Sequence, residues 1–115
     1  MSVGAERRLV TISHSYVVAE NRRLAHEMAI AGRGRWRVTA IAPKAFRGDL
    51  RRITLEPIDG EACALIPLGV RFDRAPHLMM YAGLRAALSS AADVVHCWEE
   101  PYVAAGAQVA KHTPT

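Results

Sequence analysis

The chain has 115 residues, of which 50% are apolar and 23% are charged, and this composition is typical of a folded globular protein rather than a disordered one. No apolar run reaches the ~18 residues that a membrane span requires, and the first ten residues lack the apolar stretch of a secretory signal. We therefore expect a single domain in the cytoplasm.

The charge is unevenly distributed along the chain. Residues 1–52 contain 11 basic and 4 acidic residues, a net of +7, whereas residues 53–115 contain 4 and 7, a net of −3. The basic half is interpreted either as solvated loop and strand-end arginines or as a face that contacts phosphate or anionic lipid. Few aromatic residues lie between these arginines, so no nucleic-acid partner is expected, while peripheral contact with the inner membrane face stays open.

The first half of the sequence predicts a strand, a helix and a second strand. Residues 8–13 are a β-branched apolar run, typical of a strand buried on both faces, and residues 36–42 form another. Between them, residues 18–31 have helical spacing, and Gly32 and Gly34 follow the predicted helix. The residues expected on its buried stripe are Leu24, Ala25, Met28, Ala29 and Ala31. A spacing of roughly thirty residues between the strands predicts a right-handed parallel βαβ unit.

The second half continues the alternation less clearly. Short strands are predicted at 53–56 and 62–66, and a longer one at 93–98. A helix is predicted over 76–90, beginning at Pro76 and burying His77, Tyr81, Leu84 and Leu88, and a last helix follows Pro101 over 102–111. The fold class expected is α/β, with a Rossmann-like, open, mostly parallel sheet and flanking helices. The pattern stops where the next strand is due, so we expect a partial domain.

Two cysteines give no indication of a disulfide or a metal site. Cys63 and Cys97 lie 34 positions apart and form no CxxC pattern, so both are expected to be reduced, buried thiols. His96 and Cys97 are successive strand residues that point to opposite faces, which disfavours a shared ion.

Ligands of open parallel sheets bind outside the carboxyl ends of the strands. Two segments are predicted to lie there, residues 13–16 after the first strand and residues 96–102 after the last. They supply all the candidate site residues: His14, Ser15 and Tyr16 in the first segment, and His96, Trp98, Glu99, Glu100 and Tyr102 in the second. No catalytic residue is assigned among them.

These side chains have both structural and functional interpretations. His14 suits a general base or a hydrogen bond to an acceptor hydroxyl, although a histidine in such a position more often has a structural role. Glu99 and Glu100 precede a predicted helix, where they stabilise its N-terminus or accept hydrogen bonds from sugar hydroxyls. Trp98 and Tyr102 can offer flat apolar faces to a sugar ring, and for Trp98 core packing at a strand end is the alternative.

Common cofactor motifs are missing from the sequence. The first strand is followed by Ser-His-Ser-Tyr rather than GxGxxG, and Gly32-Arg-Gly34 comes after the predicted helix instead of before it. No P-loop, GxSxG or HExxH motif occurs. We expect no bound cofactor.

Four segments, residues 8–16, 24–29, 36–43 and 93–101, together resemble the amino-terminal domain of family 4 (group 1) glycosyltransferases. The most specific is Asp93-Val-Val-His-Cys-Trp-Glu-Glu-Pro101, which is similar to the family's strand and loop of an aspartate, two hydrophobic residues, a histidine and a later Glu-Pro pair. The resemblance implies a GT-B architecture of two Rossmann-like domains, with the acceptor mostly on the first and a nucleotide-sugar donor on the second. It also implies transfer with retention of configuration and without a bound metal.

On this resemblance His14, Ser15 and Tyr16 match the family's first loop, near the donor phosphates and the acceptor, and His96, Glu99 and Glu100 match the later loop. Residues 16–20, Tyr-Val-Val-Ala-Glu, stand where many members carry a Gly-Gly pair. Residues 1–115 would form a partial acceptor-side domain without the donor domain, inactive alone, with a nucleotide-sugar and an unknown acceptor as its partners.

Two alternatives of other classes stay open. One is a self-contained α/β module that uses the basic first half to bind an anionic partner. The other is a small metal-dependent hydrolase built on His14, His96 and Glu99 or Glu100.

Overall fold

A computed structural model describes residues 6–47, 52–73, 78–88, 92–99 and 104–113. Eight strands are present among these residues: β1 Arg7–Ile12, β2 Trp36–Pro43, β3 Ala45–Arg47, β4 Arg52–Thr54, β5 Ala64–Leu68, β6 Val70–Arg71, β7 Met80–Tyr81 and β8 Val94–Cys97. The helices are α1 Ala19–Ala31, α2 Leu84–Leu88 and α3 Ala104–His112, with a short 3-10 helix at His14–Val17.

Four strands form one parallel sheet in the order β5-β2-β1-β8. In chain order these are the third, second, first and fourth strands of the sheet, which is the Rossmann-like half order. The predicted α/β class with a parallel sheet and flanking helices is therefore confirmed. Strand β1 lies between β2 and β8, with Leu9 opposite both Val38 and Val94.

The sheet buries both of its faces near β1, as the β-branched run predicts. On the face that we call the α3 face, Val10, Ile12 and Ile41 pack with side chains of α2 and α3. On the opposite face, the α1 face, Val38 and Ala40 pack with Tyr16 and with the small residues of α1. Alternation of side chains along each strand assigns every sheet residue to one face or the other.

Helix α1 lies where it was predicted but is rotated about its axis. Ala25 and Ala29 are buried as expected, whereas Leu24 is 42% exposed and Ala31 is also exposed, so this part of the predicted stripe is wrong. The third buried residue is Arg22, with no exposed surface. Its guanidinium donates to carbonyl and carboxylate oxygens beneath the helix. These hydrogen bonds hold the helix in the rotation that turns residues 22, 25 and 29 toward the sheet.

Gly32 ends α1 and lets the chain enter β2. Its N–H donates to the Met28 carbonyl oxygen at 2.9 Å. A Cβ placed at Gly32 would lie 2.9 Å from the Cβ of Trp36, so only glycine fits without a shift of the turn. The helix-stop prediction at this position is confirmed.

The predicted helix over 76–90 is wrong in its described first part. Met80–Tyr81 is a strand that pairs antiparallel with Val70–Arg71, and within the described residues the helix is Leu84–Leu88. Gly83, with a φ of 77°, turns the chain between the two elements. Tyr81, Leu84 and Leu88 are nevertheless buried as the apolar spacing indicates.

Other boundaries differ by a few residues. The strand predicted at 53–56 is β4, the second half of a hairpin whose first strand, β3, was not predicted. The strand predicted at 62–66 is β5, two residues further along. Helix α3 begins at Ala104 in the described residues. Outside the described residues lie Pro76, His77, Pro101 and Tyr102.

Both cysteines are free thiols, Cys63 buried and Cys97 half-buried. Burial, and the hydrogen bond that Cys63 donates to Glu61, raise the pKa of Cys63 to about 12. In the part of the chain that the structure describes, no helix has the length and apolarity needed to cross a membrane.

Candidate functional site

The carboxyl ends of β1 and β8 lie side by side. Thr11 is opposite His96 and Ile12 opposite Cys97, and the Trp98 N–H donates to the Ile12 carbonyl oxygen at 2.8 Å. From β1 the chain adds β2 and β5 on one side of the sheet and then returns to add β8 on the other side. The gap between β1 and β8 is therefore the topological switch point, where open α/β sheets bind ligands. The adjacency of the two predicted segments is thus part of the fold.

Glu99 joins the two strand ends through a buried carboxylate. Its Oε1 accepts hydrogen bonds from the His14 N–H at 2.6 Å and from the Tyr81 hydroxyl at 2.8 Å, and its Oε2 lies 2.5 Å from His14 Nδ1. The Glu99 side chain has no exposed surface, whereas the His14 side chain is 28% exposed. The ring of His14 also packs against Phe46, with 5.2 Å between ring centroids.

This pairing fixes the tautomer of His14. An ionised carboxylate only accepts hydrogen bonds, so Nδ1 carries the hydrogen and, in the neutral ring, Nε2 is the acceptor. A carboxylate that orients an imidazole in this way is the arrangement used for general-base chemistry and for binding a ligand hydroxyl. Burial and the Glu99 charge raise the pKa of Tyr81 well above 10.0, so its hydroxyl keeps its hydrogen and continues to donate.

A second polar cluster lies on the α1 face. Thr11 Oγ1 is 2.7 Å from the Tyr16 hydroxyl and 2.9 Å from His96 Nδ1. Thr11 and Tyr16 are fully buried, while His96 is exposed and Trp98 is 52% exposed. The Trp98 ring lies 6.4 Å from the Tyr16 ring and 6.5 Å from the His96 ring, measured between centroids.

The end of the sheet separates these two clusters. His14 and Glu99 contact Tyr81 and Phe46, which belong to the α3-face core, whereas His96 shares the α1 face with Thr11. His14 and His96 therefore hold different partners. Among the described residues no group of three or more His, Cys, Asp and Glu side chains is placed to hold a metal ion.

The other predicted site residues divide as follows. Ser15 is half-buried, and its Oγ is 2.7 Å from that of Ser13. Tyr16 is a core residue rather than a surface group, and burial raises its pKa. Glu100 and Tyr102 lie outside the described residues.

Arg22 supports the first loop from below, a role that the sequence pattern does not reveal. Its guanidinium donates to the carbonyl oxygens of Tyr16 and Glu56 and, at 3.0 Å, to both carboxylate oxygens of Glu61. A fully buried arginine is tolerated only with such partners. It connects the 3-10 helix to residues 56–61 and so holds His14 and Tyr16 in place.

The N–H groups of the first loop are already engaged. The N–H of His14 donates to Glu99, that of Ser15 to Ser13 Oγ at 3.2 Å, and that of Ala19 to Glu56 Oε1 at 2.8 Å. Those of Tyr16 and Val18 donate to loop carbonyl oxygens. These are the groups that a phosphate at a helix N-terminus would use.

Exposed arginines gather at the opposite end of the sheet, where β1 and β2 begin. These residues are Arg7, Arg8, Arg33, Arg35 and Arg37. We call this surface the arginine end. The Arg7 guanidinium lies 5.9 Å from the Trp36 ring centroid, and Arg37 pairs with Glu6 at 3.6 Å. An apolar groove of about 420 Å³ adjoins it, lined by residues that include Leu9, Trp36 and Val94.

Comparisons with protein-family models, with curated proteins and with solved structures found no match to this chain. The fold and the site geometry define an α/β protein with a Rossmann-like parallel sheet and polar residues at the junction of β1 and β8.

Proposed function

We propose that this chain is the acceptor-side domain of a retaining, two-domain glycosyltransferase that uses a nucleotide-sugar donor. The observation that supports this most directly is the His14–Glu99 pair at the carboxyl ends of β1 and β8. The resemblance of residues 93–101 to the glycosyltransferase strand and loop supports it from the sequence.

The pair suits a hydroxyl ligand better than an anionic one. The buried carboxylate of Glu99 orients the His14 ring so that its other nitrogen has acceptor character, which matches a hydroxyl rather than an anion. A phosphate would require free N–H donors or unpaired cationic side chains. The loop amides described above have other acceptors, which include the carboxylates of Glu99 and Glu56, and the guanidinium of Arg22 beneath the loop is paired with Glu61. We therefore assign this end to the acceptor sugar and the donor phosphates to the second domain.

Two tests apply to this proposal. Sequencing the gene downstream of codon 115 should reveal an open reading frame that encodes a second Rossmann-like domain, and a stop codon without such a domain would overturn the transferase assignment. Titrating the ¹⁵N-labelled chain with methyl glycopyranosides should shift the amide signals of His14 and Glu99, whereas inorganic phosphate should leave them in place.

His14→Ala should abolish the glycoside response, while His112→Ala, on α3, serves as the matched histidine control. Shifts caused equally by phosphate, or a His14→Ala variant that responds like the unmodified chain, would contradict the assignment of this end to a sugar hydroxyl.

A second candidate function is binding to an anionic partner, favoured by the arginine end. Among the described residues, the acids recorded in contact with the five exposed arginine residues there are Glu6 and Asp93, so an anionic surface would reduce the mutual repulsion of the arginines. Sedimentation with phosphatidylglycerol vesicles that weakens with salt, and that is lost in Arg35→Ala/Arg37→Ala but kept in Arg47→Ala/Arg52→Ala, would support it. No binding to these vesicles at low salt would exclude it.

A further inference from the structure

We propose that Tyr16 and Thr11 hold His96 in the tautomer that carries its hydrogen on Nε2, so that His96 presents a fixed N–H donor beside Trp98. The ligand of this donor would be a ring oxygen or hydroxyl of a pyranoside that lies on the indole. The hydrogen-bond direction rests on the geometry alone, whereas the ligand class rests on the proposed function.

The direction is set at the buried end of the cluster. The Tyr16 hydroxyl has no exposed surface, and its hydrogen-bond partner among the described residues is Thr11 Oγ1, at 2.7 Å. A buried hydroxyl hydrogen without an acceptor is strongly disfavoured. Tyr16 therefore donates and Thr11 accepts. Burial also raises the pKa of Tyr16, which keeps the hydrogen on its oxygen.

Thr11 determines the direction of the next hydrogen bond, the one to His96 at the surface. A threonine hydroxyl has a single hydrogen, and the described partners of Thr11 Oγ1 are Tyr16 and His96 Nδ1. Because Thr11 accepts from Tyr16, its own hydrogen is directed to Nδ1 at 2.9 Å. Neutral His96 then has a lone pair on Nδ1 and a hydrogen on Nε2. With the opposite tautomer Nδ1 would donate to Thr11, and one of the two hydroxyl hydrogens, that of Thr11 or that of Tyr16, would lack an acceptor among these three groups, a bias of about tenfold or more.

The surroundings of His96 favour a neutral ring ligand. Trp98 is 52% exposed, and its ring centroid lies 6.5 Å from that of His96, which is close enough for one pyranoside to contact both. The described contacts of this cluster come from a threonine, a tyrosine and a tryptophan, without a cationic side chain.

The tautomer can be measured without any ligand. In a long-range ¹H–¹⁵N spectrum of the full chain at a pH where His96 is neutral, Nδ1 of His96 should resonate at the unprotonated limit and Nε2 at the protonated one. Thr11→Val keeps the side-chain shape and removes the hydroxyl that connects Tyr16 to His96, while Tyr16→Phe removes only the phenolic hydroxyl. Both variants should move the two signals toward the values of exchanging tautomers. A hydrogen on Nδ1 in the unmodified chain, or signals unchanged in both variants, would refute the inference.

The ligand is tested separately with methyl β-D-glucopyranoside. The indole N–H signal of Trp98 should shift, whereas that of Trp36, at the other end of the sheet, should not, and Thr11→Val should weaken binding about fivefold. The expected tautomer with no indole shift would overturn the ligand class and count against the proposed function. The hydrogen-bond direction from Tyr16 through Thr11 to His96 would still stand. A hydrogen on Nδ1 together with glycoside binding would refute the hydrogen-bond direction and leave the ligand class supported.

Discussion

Replacing Glu99 by alanine should destabilise the protein far more than its position after an edge strand suggests. The carboxylate has no exposed surface and accepts hydrogen bonds from the His14 N–H, the His14 ring and the Tyr81 hydroxyl. Glu99→Ala removes the acceptor of all three hydrogen bonds at once. It leaves the Tyr81 hydroxyl, on a residue only 3% exposed, without its acceptor.

The magnitude follows from these contacts. Hydrogen bonds to charged groups contribute about 1.5–3 kcal/mol each, and water replaces part of the loss at His14, which is 28% exposed. The expected loss of unfolding free energy is about 3–5 kcal/mol, similar to breaking a buried pair by removing one partner. Domains of this size have a total stability of about 5–15 kcal/mol, so the loss is a large fraction.

Urea unfolding followed by far-ultraviolet circular dichroism measures this loss. Tyr81→Phe, which removes one of the three bonds, should lose about 1–2 kcal/mol, and the exposed α1 residue Glu27, replaced by alanine, should change stability by less than about 0.5 kcal/mol. If Glu99→Ala unfolds at the same urea concentration as Glu27→Ala, the three hydrogen bonds do not hold the strand ends together.

Two further predictions concern the buried acids and the end of α1. The pKa of Cys63 is raised from 9.0 to about 12 and those of Tyr16 and Tyr81 above 10.0, chiefly by burial, so the folded state binds these protons more tightly than the unfolded state. The free energy of unfolding should therefore be constant below about pH 9 and fall as the pH rises further, by up to about 1.4 kcal/mol per pH unit for each group. Urea unfolding at several pH values measures this decline, which should be smaller in Cys63→Ala. A free energy of unfolding that does not change with pH above about 9 would contradict the reasoning. Gly32→Ala should lower the free energy of unfolding by about 1–3 kcal/mol in the same assay, because the added Cβ would lie 2.9 Å from the Cβ of Trp36. Gly69→Ala is the control, since its added Cβ would have its nearest neighbour at 3.8 Å. Equal effects of the two substitutions would refute the steric argument.

The parts of the fold that the sequence predicts are those fixed by local pattern. The β-branched runs at 8–13 and 36–42 are strands, and Gly32 ends the helix between them, because these features need no distant partner. The region around Tyr81 could not be predicted in this way. Its apolar spacing fits a helix, but the pairing of β7 with β6 and the turn at Gly83 determine the outcome.

The site divides along the same line. The meeting of the segments after β1 and β8 follows from parallel strand ends, and His14 and Glu99 were both among the predicted residues. The separation of His14 from His96 by the sheet depends on register, which no local pattern encodes. The sequence pattern indicates Thr11 only as a strand residue and Arg22 only as part of a helix, because their roles depend on neighbours far along the chain.

The pairing of β1 with β8 has a consequence for biosynthesis. Every one of its partners is 85 positions apart, from Leu9 with Val94 to Ile12 with Cys97. During translation β1 and β2 can pair early, while the other edge of β1 stays unpaired until β8, 85 residues further along, has been synthesised. In that interval a central, apolar strand exposes apolar side chains and unpaired backbone groups, which favour association with other chains. The yield of folded protein should consequently depend on how fast residues 94–99 are delivered.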